Sequence, residues 1–262
     1  VTPASPFELG AIDPASDAGA PGGKEEVEAL VPSLVAELGD WQNRLWAEGH
    51  RSLLVVLQAM DAGGKDGTIR KVFTGINPQG VRVWSFKAPS AEELDHDFLW
   101  RIHRRTPAAG EIALFNRSHY EDVLVVRVAG LVPESVWRPR YEQIRAFESL
   151  LSAAGTTLVK VFLHISKAEQ AERFRARLDD PAKRWKFAAG DLEVRRHWDD
   201  YQAAYQEAIA ETSTEAAPWY VVPADRKWYR NWAVLQILLA TMAQLDPQFP
   251  PDEPGLDGIV VE

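Results

Sequence analysis

With 262 residues, 46% of them apolar and 26% charged, the chain is long enough to bury a large core and too apolar to remain disordered. The absence of cysteine excludes disulfide frameworks, thiolate metal sites and a cysteine nucleophile, so any metal must rest on oxygen or imidazole ligands. A formal net charge of -9 argues at first against a polyanionic partner, but residues 1–50 carry nine acids against two bases and residues 246–262 five acids and no base, which leaves the stretch between at +3.

Residues 1–23, rich in Pro, Ala, Gly and Ser, read as an arm, mobile or draped, and the Pro- and Asp-rich residues 247–262 as a similar tail. Residues 24–246 between them read as one domain. There, Val27, Leu30, Val31, Leu34, Val35, Leu38, Trp41, Leu45 and Trp46 recur at steps of three and four, which predicts an amphipathic helix to about residue 48, started or kinked by Pro32. This apolar, Trp-bearing face serves either core packing or a contact between copies. A continuous apolar run, Leu53 to Leu57, has strand length and is followed by a Gly-rich turn and a helix-like stretch at 65–74. Further strands are predicted at Val81 to Phe86, Ile112 to Phe115, Leu158 to Leu163 and Trp219 to Val222, with helical patterns at 90–104, 118–128, 134–154, 167–178, 191–212 and 226–244. Strands alternating with helices predict a three-layer α/β/α sandwich with a parallel sheet, binding ligands beyond the carboxyl ends of its strands. No apolar run approaches the ~20 residues that span a bilayer, and the N-terminus lacks a signal-peptide pattern, which together predict a cytoplasmic protein without a membrane partner.

Ala59-Met60-Asp61-Ala62-Gly63-Gly64-Lys65-Asp66-Gly67-Thr68 follows the first strand and opens a helix. A phosphate-binding loop needs that context: glycines let backbone N–H groups face an anion, the helix N-terminus adds partial positive charge, and a lysine reaches the phosphates. The match is imperfect, because Ala59 replaces the first glycine and Asp66 stands where Ser or Thr usually holds magnesium. The bland alternative is a glycine-rich turn with a solvated lysine. Asp61 repels phosphate unless a cation lies between them. It therefore either holds magnesium, a hard ion that takes carboxylate and phosphate oxygens, or caps the helix.

The strand at 112–115 delivers Asn116-Arg117-Ser118-His119-Tyr120-Glu121-Asp122 at its carboxyl end, where P-loop enzymes place an acid for the metal. Asn116 occupies that position here, which leaves Asp61 as the metal ligand, helped by Asp122 or Glu121. Arg117 suits a phosphate clamp, its planar fork fitting phosphate better than lysine does; the alternative is a surface arginine beside a helix cap at Ser118. His119 and Tyr120 pack or orient. Between residues 173 and 197, eight bases (Arg173, Arg175, Arg177, Lys183, Arg184, Lys186, Arg195, Arg196) face four acids. Asp180-Pro181 breaks one helix and Gly190-Asp191 starts the next, so the segment is a basic helical hairpin. It either closes as a lid that excludes water or is an ordinary solvated pair. Lys87 and Arg104-Arg105 either extend the positive track or, each taken alone, are ordinary surface bases. The pattern of interleaved aromatics and bases used by nucleic-acid modules is missing, so no nucleic-acid partner is expected.

Taken in order, Asp61-Ala62-Gly63-Gly64-Lys65-Asp66-Gly67, Phe86-Lys87-Ala88-Pro89-Ser90, Leu99-Trp100-Arg101, Phe115 to Asp122 and Lys183-Arg184-Trp185-Lys186 resemble polyphosphate kinase family 2 over about residues 25–245. The resemblance implies a P-loop kinase-like fold with a helical lid. It also implies magnesium- or manganese-assisted phosphoryl exchange between inorganic polyphosphate and adenine or other purine nucleotides, in a dimer or tetramer. By that resemblance Asp61, Lys65, Arg117, Lys183 and Lys186 carry the transfer. Ala62, Gly63, Gly64, Asp66, Gly67, Thr68, Arg177 and Arg184 bind phosphates, Lys87, Asn116 and Glu121 the nucleotide, and Asp61 with Asp122 the metal. Where many members show an aromatic, Asn and Arg after Asn-Arg-Ser, this chain has Tyr120-Glu121-Asp122, which resembles the subgroup accepting both AMP and ADP. The alternatives are an ATP-dependent nucleoside monophosphate kinase, sharing fold, loop and lid, and a non-catalytic nucleotide or polyphosphate sensor.

Overall fold

The structure, a computed structural model, describes residues 1, 6–256 and 259. All five predicted runs form strands: β1 (Ser52–Ala59), β2 (Val81–Ser85), β3 (Ile112–Asn116), β4 (Thr156–His164) and β5 (Trp219–Pro223). They make one parallel sheet in the order β2-β3-β1-β4-β5. Helices cover both faces of β1 and β4, so these strands are buried almost throughout and read as mainly apolar runs, that of β4 interrupted by Lys160.

The helices among the described residues are α1 (Lys24–Glu48), α2 (Lys65–Val72), α3 (Ala91–Leu94), α4 (Trp100–His103), α5 (Val125–Val128), α6 (Glu134–Trp137), α7 (Arg140–Ala153), α8 (Lys167–Asp179), α9 (Ala189–Arg196), α10 (Trp198–Thr212) and α11 (Lys227–Leu245). One layer is α1 against α11 and α11 against α2; the other is α10 against α7 and α5. Helices α8 and α9 stand at the carboxyl edge of the sheet. The chain fills the β2–β3 side of β1 first and then crosses to β4 and β5. The crevice of this doubly wound sheet therefore opens where β1 ends, between β3 and β4.

Four helical predictions divide. Residues 90–104 hold two single turns, because Ser90 caps the first while Asp97 Oδ1 accepts the Leu99 N–H at 2.9 Å in a local turn ahead of the second. Residues 118–128 hold a 3-10 turn at His119–Asp122 and then α5. Pro139 separates α6 from α7, and His197 ends α9 before α10 begins. Pro32 lies inside α1, which begins at Lys24. Val27, Val31, Leu38 and Leu45 of that helix pack into the chain's own core, whereas Leu30 and Trp46 stay exposed. The described part of the N-terminal arm is draped. Leu9 is buried in the core, and Pro14 and Ala18 bond residues of the β5–α11 corner. No helix among the described residues is long and apolar enough to cross a membrane.

Candidate active site

Beyond β1 the chain turns through Met60 to Gly64 and enters α2 at Lys65. The turn is tight. Ala62 and Gly64 have left-handed backbones, at φ 60° and 103°. A Cβ on Gly63 would collide with that of Ala59 and lie 2.8 Å from the Met60 carbonyl, and one on Gly64 would collide with the Arg230 guanidinium. The carbonyls of the turn are drawn toward α8: Gln170 Nε2 donates to Asp61 O and Arg173 Nη1 to Ala62 O, both at 2.9 Å. Residues 63–67, which carry the first-turn N–H groups of α2 that have no partner within the helix, line an open cleft of about 1090 Å³.

Lys65 is buried, and its Nζ donates to Ala59 O at 3.0 Å. Burial, with the nearby positive charge of Arg117, lowers its pKa against the pull of Asp61, Glu121 and Asp66. Parallel pairing sets Asn116 beside Leu57, and the Arg117 N–H donates to Leu57 O at 3.1 Å, so the end of β3 abuts the loop. Arg117 takes a left-handed backbone, φ 63°, and its Nη2 donates to Asp61 Oδ1 at 2.8 Å. Burial works against its charge, but Glu121 and Asp61 outweigh that and raise its pKa. Asn116 Nδ2 donates to Asp66 Oδ1 at 2.6 Å. Glu121 stands on the same side; burial raises its pKa in spite of Arg117 and Lys65. Tyr205 closes the floor, donating its hydroxyl to Ala59 O at 3.0 Å.

The opposite wall comes from α2 and the first turn of α11: Arg70, Lys71, Lys227, Arg230 and Asn231. Arg230 is 3% exposed. Its Nη2 and Nε donate only to Asn231 Oδ1, at 2.8 and 3.2 Å, and burial beside Arg173 lowers its pKa to about 10. The cleft's three carboxylates each face a cation: Asp61 faces Arg117 at 2.8 Å, Asp191 faces Arg177 at 3.9 Å and Asp66 faces Lys186 at 4.0 Å. Arg70, Lys71, Lys227 and Arg230 face none within 4.0 Å among the described residues. The positive charge without a partner is therefore concentrated on the α2–α11 wall.

Most of the residues expected from sequence gather here. Asp61 to Gly67, Lys87, Asn116, Arg117, Arg177, Lys183 and Lys186 line the cleft, together with Trp185, whose ring is exposed. The 173–197 segment is a helix, a turn and a helix: α8, a single 3-10 turn at Arg184–Lys186, and α9. Four expectations need correction. Glu121 is close enough to Arg117 and Lys65 to feel their charge but does not line the cleft. Asp122 is not beside Asp61: one oxygen accepts from Arg140 Nη1 at 3.1 Å, the other lies 3.9 Å from Arg101, and neither faces the cleft. Thr68 is buried one turn below the lining. Arg184 turns back along α8, donating Nε to Leu178 O at 2.7 Å. Arg104 and Arg105 also lie outside, stacked over Trp100 and Trp84 at 4.5 and 4.1 Å.

Arg230 and Lys227 were not singled out in the sequence, although a signal exists. Both sit in the first turn of the helix that follows a strand of a parallel sheet, and such turns open at the ligand end. Behind the second strand end, Lys160 Nζ is fully buried and donates to Glu148 Oε2 at 2.6 Å and to Thr212 O at 2.7 Å. Glu148 Oε1 accepts from Tyr120 Oη at 2.7 Å and meets His119 Nε2 at 3.2 Å. His119 and Tyr120 thus orient the turn that presents Glu121.

The family model for polyphosphate kinase 2 matches residues 23–250. Across its full length the chain is 56% identical to the AMP/ADP-polyphosphate phosphotransferase of Meiothermus ruber, covering 98% of that protein. It is 49% identical to the ADP-polyphosphate phosphotransferase of Rhodopseudomonas palustris, over 88% of this chain and 84% of that one. The crystal structure of polyphosphate kinase 2 from Arthrobacter aurescens TC1 superimposes with a TM-score of 0.93 at 48% identity, covering 95% of this chain and 89% of the other.

Proposed function

The chain belongs to the polyphosphate kinase 2 family, and on that premise we propose how its cleft divides the work. The protein moves a terminal phosphoryl group between inorganic polyphosphate and nucleotides. The finer assignment rests on one observation, the asymmetry of the cleft. The wall holding Arg230, Lys227, Arg70 and Lys71 has cations without carboxylates, and a polyanionic donor supplies the missing charge. The other wall, with Asn116, Arg117 and Lys87 and with Asp66 and Asp61 bonded to the first two, mixes signs and suits a nucleotide, whose base and ribose need hydrogen bonds as well as charge.

A phosphate oxygen of the acceptor attacks the terminal phosphorus of the chain, and the bond to the bridging oxygen breaks, leaving a polyphosphate shorter by one unit. The attacking oxygen is already largely ionised near neutral pH, so no strong general base is needed. Catalysis is positioning plus electrostatics. Lys65 Nζ, held at the loop by Ala59 O, and Arg117 bring positive charge to the transferred group. Arg177, Lys183 and Lys186 close over it from the 173–197 segment.

Asp61 presents a carboxylate beside the loop, and the described residues contain no group of three or more Asp, Glu or His able to hold a metal on protein ligands alone. That donor set fits magnesium, with manganese as a substitute, because magnesium is commonly held by one or two carboxylates plus substrate phosphates. Asp61 would hold such an ion, which would supply neutralisation of phosphate charge. Both AMP and ADP are accepted, a reading supported by the full-length similarity to the Meiothermus ruber protein and by the place of Glu121 beside the nucleotide wall. The test is to incubate purified protein with AMP, magnesium and polyphosphate without ATP and to separate the products. ADP followed by ATP is expected. Turnover of AMP with ATP but none with polyphosphate would overturn the assignment.

A further inference from the structure

Residues 6–18 do more than cover the core. Leu9 is 2% exposed, and its N–H donates to Gln206 Oε1 of α10 at 3.0 Å, which anchors the arm at one end. From there the arm crosses the corner between β5 and α11. The Asp225 N–H donates to Pro14 O at 3.1 Å, Tyr229 Oη donates to Ala18 O at 2.8 Å, and Arg226 pairs with Asp17.

The same corner is held from inside. Arg173 Nη2 donates to Ala224 O and Asp225 O at 2.5 and 3.1 Å, while its Nη1 donates to Ala62 O of the phosphate loop at 2.9 Å. Asp225 Oδ1 accepts from the Ser166 N–H at 2.8 Å, the cap of α8. One corner thus joins arm, loop and lid helix. It also begins α11, whose first turn carries Lys227 and Arg230 into the cleft. Arg230 has no acidic partner to fix it, so its place is set by the backbone that carries it.

We propose that the arm is a positioning strap: by pinning the β5–α11 corner from outside, residues 9–18 set Lys227 and Arg230 at the distance the polyphosphate chain requires. The inference rests on the proposed division of the cleft. A displacement of ~1 Å at groups that hold a substrate can cost up to about 100-fold, and a strap that acts on one wall should affect one substrate.

The experiment compares the full chain with a variant lacking residues 1–18, both checked by far-ultraviolet circular dichroism. With the strap gone, KM for polyphosphate rises about 10-fold while KM for AMP stays within about 2-fold, a split that general loosening of the fold does not produce. Unchanged KM for polyphosphate in a folded variant, or an equal rise for both substrates, overturns the strap. If the shortened chain does not fold, the double variant Asp17→Asn with Tyr229→Phe, which removes two ties and leaves Leu9 in the core, gives the same reading. A rise of about 3-fold for polyphosphate alone supports the strap, and no rise refutes it. A full-length chain inactive with polyphosphate would instead remove the functional reading on which the strap rests.

Discussion

Replacing Lys65 by methionine separates charge from packing, because the two side chains have similar shape and only the ammonium is lost. Removing one preorganised donor at a developing oxyanion costs ~3–4 kcal/mol, so turnover should fall about 100- to 1000-fold. Stability should move the other way or not at all. Tyr205 Oη also donates to Ala59 O, so losing the lysine leaves that carbonyl satisfied. The lysine's pKa is lowered on folding by burial and Arg117. A lowered lysine pKa means that the folded state disfavours the ammonium: the cost is present at neutral pH and disappears as pH rises past the unfolded value of 10.5. The variant should therefore unfold at the same or higher urea concentration at pH 7, and the difference should close toward pH 10.5. Initial rates with polyphosphate and ADP, beside urea titrations at pH 7 and 10, measure both. Turnover within about 10-fold of the parent, or a loss of turnover matched by a loss of stability at pH 7, would refute the reasoning.

Gly64→Ala puts a Cβ on a left-handed backbone, at ~1–2 kcal/mol, and drives it against Arg230; lowered urea stability together with a raised KM for polyphosphate is expected. Glu121→Gln should stabilise the protein near pH 7, because a carboxyl whose folded pKa is raised pays for ionisation there. The gain should vanish below the unfolded value of 4.5, and the variant should bind nucleotide more weakly, as read by thermal melts across pH and by AMP titration. Glu148→Gln leaves the Lys160 ammonium buried without its carboxylate and should lower stability by ~3–5 kcal/mol, measured by urea unfolding.

The sheet was legible because its two central strands are buried on both faces, and the resulting apolar runs cannot be mistaken for loop. The strand–turn–helix at residues 52–72 was legible because a strand, glycines and a helix follow one another without interruption. Elements shorter than two turns were not, since residues 90–104 keep a helical rhythm across a break made by the Asp97 side chain. The α2–α11 wall of the cleft was hidden by distance in sequence. Arg70 and Arg230 are 160 positions apart, and only the packing of α11 on α2 makes them neighbours in one cleft. Asp122 misled because adjacency to Glu121 suggests a shared task, whereas the 3-10 turn at His119–Asp122 sends the two side chains to different partners.

The hairpin at 173–197 has fewer free basic side chains than its composition suggests. Arg173 gives its protons to three carbonyls and Glu169, Arg184 to Leu178 O, and Arg195 to Lys167 O, while Arg175, Arg196 and Lys183 are matched with neighbouring acids. Bonds to carbonyls tie side chains down without cancelling their charge, so an approaching polyanion still meets the field of eight bases against four acids in the hairpin, added to that of the exposed bases of α2 and α11. Capture from dilute solution then draws on the whole hairpin, whereas only the few side chains that are not tied down can reach a chain already in contact.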